Sequence, residues 1–506
     1  MLERRDSYRV FFCWYEVFSY FGSANCIVGY KRGIDYYKRK NMESFSRRSF
    51  LQAVALLAAG SVVSLPANAF GLHRKLRVTL VGTGVRGISF WGRRLVEQYP
   101  DQLEFVGLSD INPGRLQYAK EYMKVDCPTF VNFKEMLRTA KPDLVIVCTT
   151  DSSHHELIID GLAAGCDVLT EKPLTTDEIK AQAILDAERQ YGKKLIVGFN
   201  YRWSPYMTKI KELLMNGEIG EITSVDFNWY LNTHHGASYF RRWHGLMNKG
   251  GSLWIHKATH HFDLLNWWLD SEPDEVFAYG ALEHYGKNGP FRGTSCRSCS
   301  YKKECDYYWD ITGDAHAMKL YVANEAHDGY IRDGCVYRKE IDIYDKMSAQ
   351  IKYANGAIAN YSLTTYSPFE GWRIAFNGQK GRVEAWLDIP WMKNDSLDQE
   401  SLHAAEMQQA ENVDVIHEPV VLYKNWKDYQ IIQVASERAG HGGGDRRLHD
   451  KLFKQPEAPD PYGHSAGLRD GVMSILIGVA ARHSIEQGSP IKIASLTDLK
   501  PQAKRT

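Results

Sequence analysis

A short apolar run over residues 76–81 leads directly into Gly82-Thr83-Gly84-Val85-Arg86-Gly87, after which a helical pattern begins. Glycines in this order allow a tight turn and let the backbone approach a pyrophosphate, which then rests on the N-terminus of the next helix. Alone the spacing is weak. Here a second apolar run ends at Asp110, 23 residues after Gly87, where a carboxylate can accept from adenosine ribose hydroxyls. The same carboxylate repels a 2′-phosphate, so NAD is expected in preference to NADP, with Arg115 opposing that preference. A glycine turn that only packs helix on sheet accounts for the first motif. It leaves the ordered set of strand, glycines, helix and acid unexplained.

From residue 76 short apolar runs (103–108, 144–148, 167–169, 195–199) alternate with helical stretches (88–97, 115–123, 154–164, 176–191). This alternation predicts an α/β N-terminal domain, a doubly wound parallel Rossmann sheet. Beyond Asn200 the runs 222–231, 275–282, 348–353, 358–363 and 372–377 follow one another with few helices, and a helix over 465–487 closes the chain. That pattern predicts an α+β C-terminal domain with a large, mostly antiparallel sheet. The expected divisions are a nucleotide domain over 75–200, a substrate-binding and oligomerisation domain over 201–496 with a Cys-rich insertion at 285–336, and a tail over 497–506.

The N-terminus reads as a targeting segment. Ser46-Arg47-Arg48-Ser49-Phe50-Leu51 forms a twin-arginine pattern, residues 51–65 carry no charge, and Ala67-Asn68-Ala69 supplies a small-residue cleavage site. Residues 42–70 are therefore expected to be a twin-arginine signal peptide starting at Met42, and residues 1–41 a non-native or disordered leader. The uncharged run is shorter than the ~20 residues that span a bilayer, so no stable membrane span is expected. This predicts the twin-arginine export machinery as a partner and a periplasmic or otherwise exported protein. A formal net charge of +1, with 44% hydrophobic and 24% charged residues, gives no global attraction to nucleic acid or anionic membrane.

At Glu171-Lys172-Pro173 the sequence resembles the glucose–fructose oxidoreductase/inositol dehydrogenase (Gfo/Idh/MocA) family. The resemblance runs from Leu76 to Leu496 and rests on several parts together. They are the glycine loop, Asp110, Thr149-Thr150 with His154, Glu171-Lys172-Pro173, and Gly250-Gly251 leading into His256 through Asp263. It implies a nicotinamide cofactor, a sugar or cyclitol substrate, and a sheet that often serves homo-oligomerisation. The expected cofactor-binding set is Gly82, Gly84, Arg86, Gly87, Asp110, Thr149, His154, Glu171 and Asn200.

Oxidising a secondary alcohol takes a hydride from carbon and a proton from oxygen, so a base must reach that hydroxyl. Lys172 follows a buried-type strand at the sheet's carboxyl edge, where ligands bind, and can stabilise developing alkoxide charge. His256 and His260 are four apart, and on one helix would share a face with Asp263 a turn later. By the resemblance His260 is the acid/base residue, while His256 replaces the family's usual aspartate. A zinc reading of the two histidines also stands. Arg242, Trp243, His244, Lys257 and Asp263 are the expected substrate contacts, with Tyr239 beside them. The glycine-rich stretch from Gly440 to Asp445 reads as a loop over the pocket or as a plain connection.

Two other functions fit the fold, an NAD-dependent glycosidase using transient oxidation and a non-catalytic sugar-binding protein. Glycosidases of this broad family tend to lack the lysine that Lys172 supplies. The retained lysine, histidine and cofactor motifs also weigh against a mere binder. The spacing of Cys296, Cys299, Cys305 and Cys335 suits a structural zinc or an iron–sulfur cluster, which is the expectation; two disulfides are the alternative. Cys127, Cys148 and Cys166 read as small buried apolar residues.

Overall fold

The structure, a computed structural model, describes residues 74–388, 415–437 and 440–505. The twin-arginine pattern, Met42, the Ala67-Asn68-Ala69 site, Cys13 and Cys26 lie outside the described residues. The first sheet contains β1 (Leu76–Val81), β2 (Leu103–Ser109), β3 (Thr129–Phe130), β4 (Leu144–Val147), β5 (Asp167–Thr170) and β6 (Leu195–Val197). All pair in parallel, in the order β3-β2-β1-β4-β5-β6. Every residue of β4 is buried, as expected where helices cover both faces of a parallel sheet. Helix starts are capped by side chains. Asn112, Asn132 and Asp177 accept from the backbone N–H groups of Arg115, Glu135 and Lys180, satisfying donors that the first helical turn leaves free. Strand order reverses between β1 and β4, which opens a crevice at their carboxyl ends.

The second sheet contains β7 (Ile222–Asn232), β8 (Pro273–Ala281), β9 (Lys346–Tyr353), β10 (Ile358–Ser367), β11 (Gly371–Gly378), β12 (Gly381–Leu387), β13 (Val415–Lys424), β14 (Gln430–Glu437) and β15 (Ile491–Lys492). Its order is β14-β13-β12-β11-β7-β10-β9-β8-β15, with β7 and β10 parallel and every other pair antiparallel. Strict alternation of buried and exposed residues along β9 gives one apolar face. The closing helix, Leu468–Gln487, packs along β8. Just before it the chain returns to the first sheet, where the N–H of Val197 donates to Ala466 O (3.1 Å).

The sequence pattern predicts few helices beyond Asn200, yet Thr233–Arg241 and Ala258–Leu269 are both helical. All twelve residues of Ala258–Leu269 are buried. A helix enclosed on every side carries no single apolar stripe, which hid it from the periodicity. Nor do His256 and His260 share one continuous helix. Leu253–His256 forms a separate turn, and the next helix begins after Lys257.

Because that helix is enclosed, its polar side chains meet different neighbours. His260 faces the crevice. His261 Nδ1 pairs with Tyr361 OH (2.7 Å). Asp263, expected at the substrate, instead accepts from Arg202 Nε and Nη2 (2.8 and 2.5 Å), both residues being 1% exposed. Arg202 also donates to Asp470 (2.9 Å). Breaking a buried pair leaves an uncompensated charge, so Asp263→Ala should lower unfolding free energy by about 3–5 kcal/mol. Denaturant unfolding measures this, and a loss below ~1 kcal/mol would refute the structural role of the pair.

Candidate active site

The crevice opens into a cavity of about 1310 Å³. One wall comes from the loops after β1, β4 and β5. The other comes from residues 235–260, the insertion, and the loop at His441 and Gly442.

The cofactor half follows from the glycine loop. Gly82 has φ +93°, and a Cβ there would lie 2.5 Å from the Cys148 backbone. At Gly87 a Cβ would come within 2.2 Å of Gly82 O, so this glycine seats the helix against the turn rather than lining the cavity. Gly84 borders the cavity and has only Tyr321 OH near it, at 3.5 Å. Asp110 Oδ2 accepts from Thr83 N and Oγ1 (2.8 and 3.0 Å), and Oδ1 from Asn112 N and Arg115 Nη2 (2.9 and 3.1 Å). Arg115 also pairs with Asp328 (2.5 Å), so two carboxylates hold it at the cavity wall. These residues fit a dinucleotide: a bare glycine turn at a helix start, with an acid beside it.

At the end of β5, Glu171 Oε1 accepts from Arg86 Nε (2.6 Å) and Trp91 Nε1 (2.8 Å). Burial opposes its ionisation, but Arg86 and Lys172 hold it below its ordinary range. Thr149 Oγ1 bonds Ser153 Oγ (2.8 Å). His154 sits between the carbonyls of Pro173 and Thr149 (2.9 and 3.2 Å), tying the β4 loop to the Glu-Lys-Pro turn. Asn200 Nδ2 donates to Asp445 (2.5 Å), and its Oδ1 is buried with no partner among the described residues.

Lys172 Nζ donates to His256 O (3.2 Å). Burial pulls its ammonium down to about 8, opposed by Glu171 and Asp151. His260 stacks on Tyr201 (centroids 4.1 Å, planes 10° apart), and its Nδ1 is buried without a partner among the described residues. Burial, then Lys172 and Lys257, hold His260 well below the ordinary histidine range, so its ring is neutral. His256 Nδ1 lies 2.6 Å from Asp151 Oδ2. Burial drives this pair toward its uncharged form, lowering His256 and raising Asp151.

Arg242, Trp243, His244 and Lys257 all line the cavity; Asp263 does not. Trp243 stacks on His244 (3.6 Å), and Lys257 Nζ donates to Tyr201 OH (3.0 Å) while lying 5.1 Å from the Trp229 centroid. Sequence reasoning missed Asp151, Tyr201 and Tyr321. Asp151 had a signal, an acid in the loop after β4 directly behind Thr149-Thr150. Tyr321 had none. It lies in the insertion, and its hydroxyl accepts from the glycine-loop N–H of Val85 (2.9 Å).

The expected metal at the cysteines finds no support. Among the described residues no group of three or more His, Cys, Asp or Glu could hold a metal ion, the His256/His260 reading included. Cys296, Cys299, Cys305 and Cys335 are free thiols around one small void. Burial pushes the Cys296 and Cys305 thiols up, which favours the protonated form over a thiolate ligand.

Comparison with known proteins fits this geometry. Residues 76–199 match the Gfo/Idh/MocA domain described as "Oxidoreductase family, NAD-binding Rossmann fold", and residues 211–493 match "Oxidoreductase family, C-terminal alpha/beta domain". YteT of Bacillus subtilis (strain 168), which carries an oxidoreductase name, is 36% identical over 84% of this chain and 99% of its own. Myo-inositol 2-dehydrogenase of Thermotoga maritima is 28% identical over 37% of this chain and 55% of its own. Among solved structures, the Bordetella pertussis WlbA dehydrogenase in complex with NADH and UDP-GlcNAcA is 19% identical, with TM-score 0.55 over 83% of this chain and 99% of its own. Levoglucosan dehydrogenase with NADH and levoglucosan gives 16% and 0.57 over 83% and 100%. At these identities the solved structures speak for the fold alone.

The acid beside the glycine turn yields a direct test. Asp110→Ala should weaken NAD binding and narrow the preference over NADP, because ribose hydroxyls lose an acceptor and a 2′-phosphate loses a repulsive neighbour. Equilibrium titration with both cofactors reads this, and unchanged affinities for both would remove Asp110 from the site.

Proposed function

The chain belongs to the Gfo/Idh/MocA oxidoreductase family, and from that premise we propose that it oxidises a secondary hydroxyl of a sugar, glycoside or cyclitol by hydride transfer to bound NAD. One observation carries the reading. Lys172 and a neutral His260 with an unpartnered Nδ1 line the same cavity as the glycine loop. The relative named myo-inositol 2-dehydrogenase supports the substrate class.

Bound NAD supplies the hydride acceptor; the residues handle the oxygen. The Lys172 ammonium donates to the substrate hydroxyl and steadies the alkoxide as it forms. His260, uncharged and held flat against Tyr201, takes the proton and returns it in the reverse direction. Asp151 fixes the His256 ring through Nδ1 and leaves its other nitrogen for a neighbouring substrate hydroxyl.

Lys172→Ala and His260→Ala should each lower turnover by about 10²–10⁴ with cofactor affinity little changed. The Lys172 cation is present below its pKa and lost above it, so kcat/KM for oxidation should fall as pH rises through about 8. Lys172→Arg should push that fall upward in whatever activity remains. Near-normal turnover in both alanine variants would take the pair out of the chemistry.

Export and cofactor retention belong to the same proposal. The twin-arginine pattern supports export of an already folded protein, and outside the cytoplasm no ordinary pool of free NAD exists for exchange. Contacts from the insertion support retention: Tyr321 to Val85 N, Asn324 O to Asn112 Nδ2 (2.9 Å), and Asp328 to Arg115. The mature protein should carry NAD(H) through desalting, read by chromatography of the denatured supernatant. It should then turn over with a sugar donor and a carbonyl acceptor and no added cofactor. Cofactor-free protein that consumes added NAD stoichiometrically would overturn retention and leave the dehydrogenase reading standing.

A further inference from the structure

Charges of the cavity wall are paired unevenly. Five of its carboxylates have cationic or imidazole neighbours: Asp110 and Asp328 share Arg115, Glu171 has Arg86, Asp151 has His256, and Glu370 lies 3.0 Å from His235. Several cations of the wall lack the reciprocal arrangement among the described residues, Arg242 and Arg332 being two of them. Arg242, just past the helix Thr233–Arg241, spends its Nε on the Ser238 carbonyl (2.7 Å) and lies 5.4 Å from the Tyr239 ring centroid. Arg332, from the insertion, lies 5.1 Å from the Tyr321 centroid; Tyr330, Tyr321 and Asp314 stabilise its charge, while its Nε is buried without a hydrogen-bond partner among the described residues. Among the described residues neither guanidinium forms a salt bridge with a carboxylate.

Burial, and then repulsion from Arg332, pull Arg242 down to about 10. Both guanidiniums face one low-dielectric cavity, where a bound anion would relieve the repulsion that Arg242 feels from Arg332. Arg241 and Arg338 line the same end and add to the field. Arg241 is held by the Tyr307 carbonyl, and Arg338 by the carbonyls of Arg241 and Cys335. The glycine loop and its helix start already provide for a cofactor pyrophosphate. Arg242 reaches the catalytic side, its charge acting on His244 and His256 as well as on Tyr321 beside the glycine loop.

We propose that Arg242 and Arg332 form an anion subsite that takes the carboxylate of the substrate, making that substrate an acidic sugar of the uronic acid class. The inference rests on the dehydrogenase reading for its sugar and on the wall charges for its acid. A guanidinium fork matches a carboxylate in two parallel hydrogen bonds, which fixes the ring relative to Lys172 and His260 as well as adding affinity.

The test is calorimetric titration of the cofactor-loaded full chain with matched pairs, methyl glucoside against methyl glucuronide and the galacto pair likewise. At least one uronoside should bind about 10- to 100-fold more tightly than its neutral partner, with the preference shrinking as salt rises. Arg332→Gln and Arg242→Gln should each bring that preference close to parity, while NAD(H) content and melting temperature stay near wild type. Arg332→Lys should restore part of it. Neutral sugars binding as tightly, no uronoside binding, or a preference that survives both glutamine variants would overturn the subsite. So would variants that shed NAD(H) while keeping sugar selectivity, since the anion would then be the cofactor's pyrophosphate. The same titration in Lys172→Ala protein separates the two proposals. An arginine-dependent preference stands even if no sugar is oxidised, and oxidation of neutral sugars without preference removes the subsite alone.

Discussion

Glu171 joins the two halves of the site. It stands at the end of β5, buried, and receives the guanidinium of Arg86, the indole N–H of Trp91 and the backbone N–H of Lys172. Arg86 and Trp91 belong to the helix that follows the glycine loop, so one carboxylate fastens the cofactor turn to the lysine. The tie extends further. Arg86 Nη1 is 3.9 Å from Asp445, which also bonds Asn200 and His441. Without Glu171, Arg86 and Lys172 would lie in a buried site with less compensation, and lost partners in such sites are costly. The position of Lys172 is therefore a property of the parallel sheet and its ion network, not of a flexible turn.

The insertion is a second determinant, and it acts through packing. Ile311, Ala317, Leu320 and Tyr321 share a core with Val78, Leu80, Trp91 and Leu116 of the nucleotide domain. That apolar anchorage lets Tyr321 reach the glycine loop and Asp328 reach Arg115. The cysteine-bearing segment is thus built into the rim of the dinucleotide groove, and it carries Arg332 into the cavity wall. On the proposed reading, cofactor retention and anion recognition depend on the same docked segment.

Much of the nucleotide domain could be read from sequence because its physics is local. Strands buried on both faces read as unbroken apolar runs, the glycines stand where a turn demands them, and Asp110 closes the order. Lys172 was legible for the same reason, as the residue after such a run. What escaped depends on contacts distant in sequence. Asp263 was assigned to substrate on helical spacing, but a helix buried on all sides gives spacing no preferred face, and Arg202 claims it. Tyr201, Tyr321 and Arg332 come from separate elements and converge only in the folded chain. The cysteine spacing fits a metal, disulfides or free thiols equally well, so it could not choose among them.

Charge and protonation in the cavity are coupled. Burial is the first reason that His244 and His256 are uncharged; His256 is the next for His244 and Lys172 for His256, and Arg242 acts on both rings. An anion seated against Arg242 would cancel part of that field, and each ring would then hold a proton more readily. His260 feels mainly Lys172 and Lys257, so its proton affinity would rise less. On the proposed assignment an acidic substrate would therefore strengthen the basicity of His256, beside the reacting hydroxyl, while leaving His260 closer to its resting state. Substrate charge would then act unequally on the two histidines, a distinction that a neutral sugar in the same cavity could not make.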